Sequence, residues 1–124
     1  MTQEDKELLF KDLCARVPYS VKINENIQGD FTVIGLTTER VFTTCETEGC
    51  HNDFPIECVK PYLFPLSSMT KKQKDEYQYI TERWMNDPAY SISDSIDWLN
   101  ENHFDYRNLI EKGLAIDATG LNIY

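Results

Sequence analysis

The sequence predicts a single α+β domain over residues 1–124, and three observations predict it. Apolar residues recur at helical spacing through residues 3–17. Short runs rich in Val, Ile, Thr and Phe, separated by turn residues, fill residues 19–66. Helical spacing returns after Ser67-Ser68-Met69-Thr70. Strands grouped in the middle of a chain, with helices at its ends, form the α+β pattern. The expected architecture is a small antiparallel sheet or SH3-like barrel of about four to five strands, with an N-terminal helix and two to three C-terminal helices.

Thr2 opens the first helix, with Asp5 three residues on as the partner of a capping box. Leu9, Leu13 and Val17 form its apolar stripe, with Phe10 and Cys14 beside them. Pro18 ends it. Cys14, at the stripe's edge, reads as a buried structural thiol.

Val21, Ile23 and Ile27 then alternate with polar residues, and Gln28-Gly29-Asp30 makes a turn. Phe31 to Leu36, Arg40 to Cys45 and Asp53 to Val59 read as further strands. Pro61 and Pro65 argue against a central strand over Lys60–Leu66. An extended connector is expected there, anchored by Tyr62, Phe64 and Leu66.

Thr70 and Gln73 make a second capping box, for a helix that runs to about Asn86 with Tyr77, Ile80 and Trp84 as its stripe. Asp87-Pro88 breaks that helix, and a third covers Ile92 to Asn102. A short helix near Tyr106–Lys112 is expected to close on Gly113 in a left-handed cap. Leu114–Ile116 and Leu121–Tyr124 flank a Thr119-Gly120 turn, as a terminal hairpin or as irregular cover.

Composition limits function. The 41% hydrophobic and 27% charged content is that of an ordinary globular protein. No apolar run approaches the ~20 residues of a membrane span, so no membrane contact is expected. MTQEDKELLF lacks the basic and apolar regions of a signal peptide. The chain is therefore expected in the cytoplasm, where thiols stay free. The net charge is −9, with no basic segment. Nucleic acid binding relies on Lys and Arg at phosphates, so direct binding is not expected. An acidic surface suits solubility, a basic protein partner, or imitation of nucleic acid.

"CETEGCHNDFPIEC" gathers Cys45, Cys50, His51 and Cys58. Zinc sites bring ligands in close pairs, and Cys58 has no second ligand near it. Cys50 and His51 are neighbours, and in an extended chain neighbours point to opposite sides. The better reading is a hairpin with its loop over Glu46–Asn52 and Cys45 facing Cys58, holding no metal or cofactor. Glu46, Glu48, Asp53 and Glu57 surround these thiols, and negative charge raises a thiol's pKa. A nucleophilic cysteine needs the opposite. With no P-loop, GxSxG or HExxH pattern either, an enzyme is not expected. The reading set against this one is a small zinc- or thiol-dependent enzyme using the Cys45–Cys58 segment.

The third helix is the most patterned stretch. At ~100° per residue, Ile92, Ile96, Leu99 and His103 share one face. Asp94, Asp97, Glu101 and Asp105 share the opposite one, with Trp98 close to the acidic edge. These five polar and aromatic residues are the candidate partner surface, since Trp is favoured at binding hot spots. His103 reads as a hydrogen-bonded core histidine.

"KELLFKDLCARVPYSVK", "VKPYLFPLSSMT" and "IDWLNENHFDYRNLIEKGLAI" span residues 6–22, 59–70 and 96–116. In these blocks the chain resembles a family of small uncharacterised proteins of anaerobic gut bacteria and their prophages. The resemblance carries over no catalytic residue or cofactor. It implies a bacterial cytoplasm or a mobile element as the setting. The function expected is a non-catalytic, acidic protein-binding or accessory module, with a phage-type inhibitor that imitates nucleic acid as the alternative.

Overall fold

The computed structural model describes residues 1–44, 51–86 and 92–124. The first helix, α1, runs Gln3–Arg16. The Thr2 hydroxyl accepts from the Asp5 amide at 3.1 Å and the Asp5 carboxylate accepts from the Thr2 amide at 3.4 Å, so both bonds of the capping box form. Leu9 and Leu13 are fully buried, while Cys14 is exposed. The inward face is Leu9, Asp12, Leu13 and Arg16, so the space assigned to the Cys14 thiol is taken by a charged pair.

Four strands follow as an antiparallel meander: β1 (Lys22–Glu25), β2 (Gly29–Leu36), β3 (Arg40–Thr44) and β4 (His51–Pro55). Gly29, at φ 107°, takes the backbone conformation the β1–β2 turn requires. Ile27 sits at that turn and is 89% exposed, so it ends no apolar face. Val41 and Thr43 alternate inward with exposed Arg40, Phe42 and Thr44, as in a sheet with one covered face. Leu9 and Leu13 of α1 cover that face, over Val21, Ile23, Val33, Val41, Phe54, Ile56 and Val59.

The fifth strand, β5 (Val59–Pro65), corrects the sequence reading of a connector. It is central, in the order β4-β3-β2-β1-β5-β6, with β7 also paired to β5. Its prolines sit where pairing ends. Pro61 is the last residue opposite β1, and Pro65 is the last opposite β6. β6 (Phe104–Asp105) and β7 (Ile116–Asp117) both run parallel to β5. The α+β class holds, but the sheet is open and mixed, with seven strands among the described residues, rather than antiparallel or closed into a barrel.

The β3–β4 hairpin pairs Arg40 with Pro55 through to Thr44 with His51. Cys45 and Cys50 lie outside the described residues. Cys58 lies beyond β4, half-buried in a 3-10 turn over Ile56–Cys58 rather than on a strand, and the Cys45 side of the expected pairing lies outside the described residues.

The second capping box is present: the Thr70 amide donates to Gln73 at 2.9 Å, and the Gln73 amide to the Thr70 hydroxyl at 3.2 Å. It opens α2 (Lys71–Asn86), where Tyr77 and Ile80 are half-buried. α3 follows at Ile92–Glu101. No described helix is long and apolar enough to cross a membrane.

The helix expected over Tyr106–Lys112 is a single turn. Asn108 stands at φ 58°, which no helix interior accepts. Gly113, at φ 73°, closes the turn as expected: its amide bonds Ile110 O at 3.1 Å, and the Leu114 amide bonds Leu109 O at 2.9 Å. Leu109 and Leu114 then pack with Leu63 and Ala115 as a second core cluster. The Thr119-Gly120 turn forms, but Leu121–Tyr124 is irregular cover rather than a hairpin strand.

Candidate functional site

The structure divides the five residues of the predicted partner surface. Asp94, Asp97 and Glu101 are exposed on α3. Trp98 turns to the interior: its ring stacks on Phe104 at 5.7 Å and 16°, and meets Tyr77 at 5.6 Å. It joins α2, α3 and β6. Asp105 is only 6% exposed. Its carboxylate accepts from the amides of Arg107 (3.2 Å), Leu109 (3.0 Å) and Ile110 (2.9 Å). The helical count that put Asp105 on the acidic face fails because α3 ends at Glu101 and the chain turns at His103, φ 61°. The inward side of α3 is Ser95, Leu99 and Asn100, while Ile96 is 38% exposed.

A second polar group, absent from the sequence reading, lies inside. Asp12 and Arg16 are both fully buried. Arg16 Nε donates to Asp12 Oδ2 at 2.8 Å and Nη2 to Oδ1 at 3.1 Å, a forked pair one helical turn apart. Arg16 Nη2 also donates to the Phe104 carbonyl at 2.6 Å. Arg107 brings a second guanidinium to Asp12 Oδ1 at 2.9 Å and donates to the Tyr106 hydroxyl at 2.9 Å. That hydroxyl donates onward to Asn100 Oδ1 at 2.9 Å. Both guanidinium groups lie over the Tyr106 ring, at 5.3 and 4.6 Å from its centre. One carboxylate thus holds two cations and ties α1 to the segment after α3. The signal was present in the sequence. At ~100° per residue, Asp12 and Arg16 fall in the same arc as Leu9 and Leu13.

His103 borders this cluster. It is 8% exposed, and its ring lies flat on that of Tyr124 at 3.6 Å and 10°. His103 Nδ1 and Arg16 Nη1 are buried without a hydrogen-bond partner among the described residues. Burial, helped by the charges of Arg16 and Lys22, lowers the His103 pKa from 6.5 to about 4. Folded His103 therefore stays neutral down to about pH 4, while unfolded His103 takes a proton near 6.5. The unfolded state binds more protons in that window, so stability falls as the pH drops from about 6.5 to about 4. Urea midpoints across this range should show that loss, and His103→Asn, which tolerates the left-handed backbone, should flatten it. An unchanged slope in the variant would place the proton uptake elsewhere.

Cys14 is exposed, and desolvation of its sulfur raises its pKa, the reverse of an activated thiol. Among the described residues, no group of three or more His, Cys, Asp or Glu side chains is placed to hold a metal ion. No protein-family model, curated protein or solved structure matches the chain.

Proposed function

We propose that the chain is a non-catalytic accessory module that binds a basic protein partner through the outward face of α3. One observation carries this reading, the division of a single helix. Asp94, Asp97 and Glu101 are exposed along one side, while Trp98 stacks into the fold and Leu99 is buried on the other. A carboxylate ridge on a held helix meets a partner with little ordering left to do. The net charge of −9 would steer a basic partner toward it. On the neighbouring α2, Tyr79 is 61% and Met85 67% exposed, residue types enriched at interfaces. The resemblance of the three sequence blocks supports a bacterium or its mobile element as the setting for this module.

The test compares the tagged protein with the Asp94→Asn/Asp97→Asn/Glu101→Gln variant in capture from host lysate, at low and high salt. Exposed charge pairs contribute roughly 0.2–1 kcal/mol each, so losing three weakens binding on the order of threefold to a hundredfold. The expected result is a protein retained by the wild type at low salt, and lost both at high salt and by the variant. Identical retention by the two proteins would contradict the reading.

A further inference from the structure

The β1–β5 ladder stops one residue early. Its last pair is Ile23 with Pro61, so Lys22 and Tyr62 come next in register. Instead of a direct bond between them, the Lys22 amide donates to the Tyr124 hydroxyl at 2.8 Å, and that hydroxyl donates to the Tyr62 carbonyl at 2.9 Å. Beyond this point β5 has other partners: Tyr62 and Leu63 pair with β7, and Phe64 and Pro65 with β6. A phenol hydroxyl thus spans the split, satisfying one strand donor and one strand acceptor. The ring lies flat on His103 at 3.6 Å and tilted against Phe64 at 6.0 Å. Donor, acceptor and two aromatic walls together specify a phenol.

The segment that delivers Tyr124 is held lightly. Leu121 is 49% and Tyr124 43% exposed, and Asn122 stands at φ 53°. Besides the phenol, the Ile123 carbonyl accepts from Lys22 Nζ at 3.0 Å and the Leu121 amide donates to the Ala118 carbonyl at 3.1 Å. Lys22 also lines, with Asp30, Phe31, Thr32 and Thr44, an open depression of about 250 Å³ beside the split. His103 Nδ1 and, on the neighbouring cluster, Arg16 Nη1 are the two buried nitrogens without a hydrogen-bond partner among the described residues.

We propose that the β1–β5 split is a tyrosine-binding slot which Tyr124 fills in cis, and that its occupant in trans is the tyrosine side chain of an extended peptide. This site is separate from the α3 ridge and does not depend on it. A tethered occupant competes at an effective concentration in the millimolar range, so the slot answers only to a peptide that outcompetes its own strap.

Tyr124→Ala empties the slot in the full chain, and p-cresol is the probe, with toluene as its hydroxyl-free counterpart. The variant should show saturable shifts of the Lys22 amide and His103 ring resonances with p-cresol. Toluene should bind at least tenfold more weakly, and the wild type should respond less than the variant. A folded variant with no saturable shift, or with equal response to toluene, would overturn the slot. Should the variant fail to fold, the wild type serves with excess Leu-Asn-Ile-Tyr peptide. Displacement moves the Tyr124 ring resonances toward unstructured values, and resonances that stay fixed overturn the proposal.

Discussion

Asp12→Ala should lower the unfolding free energy by about 3–5 kcal/mol, the cost of leaving a buried charge without its partner. Arg16 is fully buried, and its Nε and Nη2 both reach Asp12. A guanidinium stays protonated in proteins, so Arg16 has no neutral form to retreat to. Total stabilities of 5–15 kcal/mol make such a loss a large fraction of the whole. Arg107 keeps 19% of its side chain exposed and can turn to solvent; Arg16 cannot. The double variant Asp12→Leu/Arg16→Met should therefore lose less than Asp12→Ala alone, even though it gives up the bond to the Phe104 carbonyl. Urea denaturation of the three proteins decides this. A loss below about 1 kcal/mol for Asp12→Ala would mean that water reaches Arg16.

Trp98→Ala should cost about 3 kcal/mol, near the lower end for a large aromatic removed from a packed site, because Trp98 is half-buried. The ring stacks on Phe104 and meets Tyr77, so its loss frees α2 from α3 as well as opening a cavity. A binding hot spot behaves otherwise: its removal weakens the complex and leaves the free protein's stability almost untouched. The same urea measurement separates the two roles. A change within about 0.5 kcal/mol would return Trp98 to the partner surface.

Both predictions rest on residues whose roles the sequence only half declares. The capping residues at Thr2 and Thr70, the Leu9–Leu13 stripe, the meander and the Gly113 cap are legible because local chemistry decides them. β6 and β7 are two residues each, too short to show any period. Their existence depends on β5, which Pro61 and Pro65 disguise as a connector although each proline sits where a pairing ends. Asp105 and Trp98 fit an acidic face on a helical wheel, and the left-handed turn at His103 removes Asp105 from it. Cys14 lies outside the core for a related reason. A hydrophobic count passes over Asp12 and Arg16, whose mutual pairing gives them the buried positions.

The proposed function divides α3 into a side that holds the fold and a side that meets a basic partner. Photo-crosslinking tests that division most directly. The protein would carry p-benzoylphenylalanine in place of Asp97 on the ridge or, separately, in place of Phe42, which is 39% exposed on the uncovered sheet face. Irradiated in host lysate at low salt, the Asp97 position should give a discrete adduct with a basic protein that high salt abolishes, and the Phe42 position should give none. An adduct at Phe42 alone, or none at Asp97, would contradict the account.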